Sequence, residues 1–329
     1  MVRGGERKMG KRISARSLVP LSPDQNRYLG VGEETTVGTP VAAAVYLPIQ
    51  SERIVPDHRI LVVEDVVKRS YARSKLGPFR NAGDIVMHVI PGGFTKILKW
   101  TLGSVSTVSG AVYTHTFQDA DTIKSFTARI GAEKLERVIA GCFVNTLEIA
   151  CARELVMATI GIIGGQETKG SIATPSFVSE DEVFAFHECS ALIAGSDETS
   201  EIESLTVRIN NNIPDRWTFG SRYEKRAEVG PLVVEGTADF SFQDADQYDR
   251  FLAGSEFALT FKAEGSLIGD TSEKYLFQIE LPKCKYLSDT VPHIDRREPL
   301  KVSAPFRAFY SSSNGYTIKI TVKNQESSI

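Results

Sequence analysis

The chain has 329 residues, 42% of them hydrophobic and 24% charged, with a formal net charge of −3. That length and apolar fraction suit two domains with substantial cores, and the slightly acidic balance argues against a nucleic-acid coat, which relies on Lys and Arg to displace counterions. No apolar run reaches the roughly 18 residues of a membrane span; the four cysteines and five histidines show no CxxC, HxH or HxxxH spacing, so reduced thiols are expected and a zinc site is not.

Residues 1–27 carry Arg3, Arg7, Lys8, Lys11, Arg12 and Arg16 against Glu6 and lack the apolar core of a signal peptide. They read as a basic arm, flexible or ordered against a neighbouring subunit. YLGVGEETTVGTPVAAAVYLPI follows as a loop entering a first strand. Gly30-Val31-Gly32 is not a nucleotide fingerprint, because two glutamates follow it and would repel a phosphate. SERIVPDHRILVVEDVVKRSYARSKLGPF mixes charges with β-branched residues and predicts one or two strands with a long exposed loop around 57–70. A first helix is expected over 93–102, then the strands VYTHTF, SFTARI, LERVIAGCFVNTLEIACA and LVMATIGII. In SFTARI, Phe126, Ala128 and Ile130 alternate with Thr127 and Arg129; in LEIACA, Leu147, Ile149 and Cys151 share an apolar face. A polar Gly/Ser/Thr-rich connector over 166–182 marks a domain boundary. Beyond it lie EVFAFHECSALIAG, SLTVRINNNI, VVEGTADFSF, a short helix in QYDRFLAGS stopped by Gly254, FALTFKAEG and YLFQIEL. The chain closes on AFYSSSNGYTIKITVKN, where Asn314-Gly315 signals a hairpin turn.

Two candidate repeats compete. FQDAD occurs at Phe117–Asp121 and Phe242–Asp246, but a strand follows the first copy and a helix the second, with Asp244 or Asp246 placed to cap it. The better repeat pairs RSKLGPFRNAG with RAEVGPLVVEG, in which Arg73, Gly77, Pro78 and Gly83 match Arg226, Gly230, Pro231 and Gly236 at one offset (230 − 77 = 153). Each copy leads into an apolar run and then a short amphipathic segment ending on Gly-Ser. The expected fold is therefore mainly β: two tandem antiparallel β-sandwich or barrel domains, 28–165 and 183–329, each with a short flanking α-helix.

Chemistry is not in evidence. There is no GxSxG elbow, P-loop or HExxH, and the DAD of each FQDAD lacks the EF-hand pattern around it. No catalytic, cofactor-binding or metal-binding residue is assigned. The residues that stand out are basic clusters before the two Gly-Pro turns: Lys68, Arg69, Arg73 and Lys75, and Arg222, Lys225 and Arg226. They are either a solvated face or contacts to acidic surfaces on neighbouring copies, where the planar guanidinium fork pairs well with carboxylates.

GVGEETTVGTP, the strand–loop–strand into GPFRNAG, the short helix ending in LGS, SLTVRINNNI, and VEGTADFSFQDADQYDRFLAG come in an order that resembles phage tail tube proteins, in the longer family with two tandem tube domains. The likeness covers most of residues 28–310; the basic arm and the C-terminal hairpin have no counterpart in it. The resemblance implies a structural virion protein whose rings stack into a hollow conduit for DNA, with inner strands of adjacent subunits joined into one barrel. Single-domain tube proteins of this kind close as six-membered rings, so two domains per chain imply three chains with approximate sixfold symmetry. The implied partners are other copies of the chain, the tape measure protein, transient double-stranded DNA in the lumen, and tail terminator and tip proteins, with no cofactor and no membrane. The implied location is the virion tail, after assembly in the host cytoplasm. A wall without excess positive charge would let DNA pass without holding it. The alternatives are a neck or decoration protein, or a receptor- or carbohydrate-binding sandwich; the last usually shows an aromatic cluster, whereas Trp100 and Trp217 are isolated in the sequence.

Overall fold

The structure, a computed structural model, describes residues 27–64, 66–67, 69–71, 73–177, 182–224, 228–287, 290–292, 300–327 and 329. The basic arm, apart from Arg27, lies outside the described residues.

Strand alternation sets the layers. Lys301–Ala308 shows the rule, burying Val302, Ala304, Phe306 and Ala308 while Lys301, Ser303 and Arg307 face out. One antiparallel sheet runs, in spatial order, through Val55–Val63, Arg73–His88, Met157–Gly164, the end of Leu135–Cys151, Ile202–Asn210, Val233–Ser241 and Lys301–Ala308. Ser51–Glu52 extends its first edge.

A second layer lies behind it. The start of Leu135–Cys151 pairs there with Phe126–Ala132 and Glu167–Gly170, and Arg27–Glu33 and Val45–Leu47 complete that part. Lys274–Tyr286 pairs with Phe257–Leu267 and Lys319–Asn324 before its last residues join Lys301–Ala308. Cys189–Ile193 and Ser196–Asp197 lie beyond Phe257–Leu267. Tyr113–Asp119 and Gly103–Ser109 lie beyond Lys319–Asn324. Leu135–Cys151 and Lys274–Tyr286 thus turn from one layer into the other, as sandwich corners do. One continuous apolar core fills the space, including Trp100, Phe117, Phe126, Phe184, Phe277 and Phe306.

Pairing registers recur along the chain. Glu52 faces Ile85, and Leu205 faces Ala238, so both strands shift by the same amount (205 − 52 = 153; 238 − 85 = 153). Phe126 faces Cys142 and Phe257 faces Cys284, each pair buried and each followed by a bulge. Leu29 opposite Ile130 recurs as Ala191 opposite Phe261. The hairpin Gly103–Ser109/Tyr113–Asp119 belongs to the first half alone, since Phe257–Leu267 follows the second helix almost directly.

The helices occupy related places and differ in depth. Helix α1 (Phe94–Leu102) packs on Leu135–Cys151, and α2 (Asp246–Ala253) packs on Lys274–Tyr286. The first buries Phe94, Ile97, Leu98, Trp100 and Leu102; the second buries only Gln247. Gly103 ends α1 at φ 88°, where a Cβ would lie 2.1 Å from the Thr122 carbonyl oxygen. Gly254 ends α2 in the left-handed region, as its position in QYDRFLAGS predicts. Neither predicted cap holds the N-cap position, which is Ala245 with no side-chain cap bond; Asp244, one residue before it, accepts the Asp246 N–H at 2.9 Å.

Three expectations change. The loop over 57–70 shortens, because exposed Ile60, Leu61, Val62 and Val63 continue a strand that pairs with Arg73–Leu76. The connector begins as a strand, Glu167–Gly170, held by two Arg137–Glu167 bonds of 2.8 and 3.0 Å. Asn314-Gly315 does turn the chain, with Gly315 at φ 81° and an antiparallel bridge between Ser311 and Tyr316, but among the described residues the longer strands on either side, Lys301–Ala308 and Lys319–Asn324, do not pair with each other.

The Trp100 ring stacks on Phe126 at 4.5 Å and 8°, and its indole N–H donates to Glu33 at 3.2 Å. Trp100→Ala is expected to cost about 3–5 kcal/mol of stability. The midpoint of denaturant unfolding reads this, and a loss below about 1 kcal/mol would contradict the core role of the residue.

Candidate assembly interface

The two halves meet by strand pairing. Ile202–Asn210 runs antiparallel to the end of Leu135–Cys151, from Leu205 opposite Cys151 to Asn210 opposite Thr146. The three asparagines of SLTVRINNNI then finish the joint. The Asn211 N–H donates to the Asn145 carbonyl at 2.8 Å. Its buried amide group donates to the carbonyls of Thr101, at the end of α1, and Val144, at 3.1 and 2.9 Å. Asn212 takes φ 45°, a conformation Asn tolerates better than most residues, and the Asn210 side chain accepts its N–H at 2.9 Å. The Asn145 side chain accepts the Ile213 N–H at 2.9 Å.

In the recurring register, residues 52–57 stand where 205–210 stand in the second half. The second-half segment is covered on its outer edge by Leu135–Cys151. Among the described residues, no strand covers the outer edge of the first-half segment.

The face of this sheet turned from the core carries charges of alternating sign. Glu148, Arg208, Glu235 and Arg307 lie opposite one another on four successive strands, and Arg307 pairs with Glu235 at 3.1 Å. Thr159, Thr206, Thr237 and Ser303 sit among or beside them, so this face is polar with its charges opposed.

The strand Val55–Val63 and the start of Arg73–His88 project as a hairpin. Every residue of Val55–Val63 is exposed, and Ile60, Leu61, Val62, Val63, Val66, Tyr71 and Leu76 present large apolar side chains. Such a surface on an unpaired edge is an association site or an aggregation hazard. Of the basic residues singled out in the sequence, Arg69, Arg73 and Lys75 lie exposed on this hairpin. Lys68, Lys225 and Arg226 lie outside the described residues.

Arg222 goes elsewhere. Its guanidinium donates to the Gly77 carbonyl at 2.9 Å and lies 3.2 Å from the His58 ring nitrogen Nδ1. The Phe79 N–H donates back to the Arg222 carbonyl at 2.8 Å, while the Phe79 ring packs against His58 and Tyr223. Arg80 pairs with Asp215 beside it, and burial pushes the neighbouring Glu224 carboxyl above its usual range. The loop of the second half therefore grips the base of the first-half hairpin within one chain. Sequence spacing carried no signal for this grip.

Asn211→Ala would strand the two buried carbonyls that its amide serves. A loss of about 1–3 kcal/mol is expected in denaturant unfolding of the full chain. A neutral substitution would show that backbone pairing alone holds the joint.

Among the described residues no group of His, Cys, Asp and Glu is placed to hold a metal ion, and no helix is long and apolar enough to cross a membrane. A search of curated proteins returns no match. A family model described as phage tail tube protein matches residues 24–308, nearly the whole chain. A mainly β sandwich that joins its own halves edge to edge agrees with that match, and the chain belongs to the phage tail tube protein family.

Proposed function

We propose that the chain is the major tail tube subunit, forming rings of three copies that stack into the conduit for DNA ejection. Membership of the family makes it a structural protein of the virion tail. The observation that carries the finer reading is the joint within the chain: two units of recurring register, 28–165 and 183–329, merge into one sheet through Ile202–Asn210 and Leu135–Cys151. A head-to-tail contact repeated at constant rotation closes into a ring. The open edge at residues 52–57 is the equivalent contact, completed by the second unit of the next copy. Three chains then supply six units around a pseudo-sixfold axis.

The polar face with opposed charges lines the lumen in this arrangement. The alternation of Glu148, Arg208, Glu235 and Arg307 across four strands leaves no run of positive charge there to grip phosphates through counterion release. Transient double-stranded DNA and the tape measure protein occupy the lumen, and terminator and tip proteins close the ends. The exposed hairpin around Arg69, Arg73 and Lys75 reaches the next ring, where its apolar side chains leave water.

Purified protein is expected to form tubes as its concentration rises, with threefold symmetry in averaged electron-microscope images. Six complete chains per ring would sink the threefold arrangement, and monodisperse monomers at all concentrations would sink the tube subunit. Deleting residues 59–69 separates stacking from folding. The deletion chain should remain folded and form single rings; normal tubes from it would remove the hairpin from the stacking contact.

A further inference from the structure

Two of the four cysteines meet where the halves join. Cys151 ends the strand Leu135–Cys151 and Cys189 opens the strand Cys189–Ile193, 38 residues later, with their sulfurs 3.5 Å apart. The backbone around them is already stitched: the Val156 N–H donates to Phe184 at 2.8 Å and the Phe186 N–H to Glu154 at 3.0 Å. The Cys189 thiol also lies 3.4 Å from the Ala185 carbonyl. A cavity of about 230 Å³ opens onto the pair, lined by both cysteines together with Phe186, His187, Glu203 and Ser204. Cys189 is half-buried, whereas Cys142 and Cys284 are wholly buried.

We propose that Cys151 and Cys189 form a reversible disulfide that ties the end of the first unit to the start of the second. The bond needs the sulfurs to close from 3.5 Å to the roughly 2 Å of bonded sulfurs. The oxidant is a small disulfide entering by the cavity. The Cys151 thiolate attacks one of its sulfurs, forming a mixed disulfide and releasing one small thiol. Cys189 then loses its proton and attacks the Cys151 sulfur, releasing the second small thiol. Two protein thiols are oxidised to one disulfide while the small disulfide is reduced to two thiols.

The local chemistry selects this pair. The hydrogen bond between the two sulfurs holds Cys151 below the ordinary thiol value and Cys189 above it. Burial pushes Cys142 up, and Cys284 up to about 12, which keeps both protonated and inert at neutral pH. The closed loop spans the connector between the units, so the bond constrains the unfolded chain as well as bracing the joint. A chain made with reduced thiols gains this brace on meeting an oxidising medium.

The test uses the full chain, purified with reductant and then held folded in bis(2-hydroxyethyl) disulfide. Thiol counting should fall from four to two, and peptide mapping should join Cys151 to Cys189. The oxidised protein should melt several degrees above the reduced one, and reductant should reverse the shift. Cys189→Ser should leave a small-thiol adduct on Cys151 and show no rise in melting temperature. If that variant misfolds, the comparison of oxidised and reduced native protein still decides. A stable adduct on the native chain without closure, a link between any other pair, or closure only after unfolding would each overturn the proposal. Closure without a higher melting temperature would overturn the bracing role.

Discussion

A strand at the edge of a sheet leaves a row of backbone N–H and C=O groups without partners, and every large feature of this chain answers that constraint. Within the chain, Ile202–Asn210 covers the edge of Leu135–Cys151. The pairing has to stop cleanly, because the sheet must pass from one unit to the next without burying an orphaned group. Asn211 does this by supplying two donors to carbonyls that strand pairing does not reach. An apolar residue there would fill the space and leave both carbonyls unserved, which costs more than the packing returns. The three-asparagine run is therefore a terminator for a sheet joint.

The same pairing fixes what the polar face looks like. Once Leu205 lies opposite Cys151, Arg208 must lie opposite Glu148, and the next two registers place Glu235 and Arg307 in line. A slip of one residue would turn every one of these side chains into the core. Charge opposition on this face and apolar packing behind it thus enforce one register together. Depth of burial separates the helices in a parallel way. The end of α1 is capped by Asn211 from the second half, and its start is met by Glu326, which accepts from Gly93 and Thr95 at 3.0 and 2.9 Å. Helix α2 has no comparable cover among the described residues and buries one side chain.

Much of this was legible wherever one residue pattern decides one element. Phe257, Leu259 and Phe261 point inward as their alternation predicts, as do Phe277, Ile279 and Leu281. Helix α1 lies within a residue of its expected bounds, and Gly254 stops α2. The Gly-Pro repeat pointed to the offset that the pairing registers reproduce. What escaped depends on partners distant in sequence. The strand character of 60–63 comes from a mate across the hairpin, and that of Glu167–Gly170 from Arg137. Asn314-Gly315 is a sound turn signal, yet the next strand finds better mates in Tyr113–Asp119 and Lys274–Tyr286. Arg222, read as a loop cation beside Lys225 and Arg226, instead grips Gly77 and His58, because the second-half loop folds back across the first. Cys151 looked like core and is core, but no spacing rule brings Cys189 beside it.

In the proposed ring, joining two units in one chain also changes the cost of closure. Six separate units must form six contacts between independent molecules, each paying for lost translational and rotational freedom. When units are linked in pairs, every second contact becomes intramolecular, governed by an effective concentration that the connector sets. The joint then need not be strong enough to assemble by itself, and its residues can specialise. The two halves differ in this way: the hairpin Gly103–Ser109/Tyr113–Asp119 and the deep seat of α1 occur in the first half only, and in the proposed ring the uncovered edge at residues 52–57 is left for the contact between copies. Under the proposed ring, the internal joint is the contact free to specialise, and the edge at residues 52–57 is the one that must meet its mate after folding.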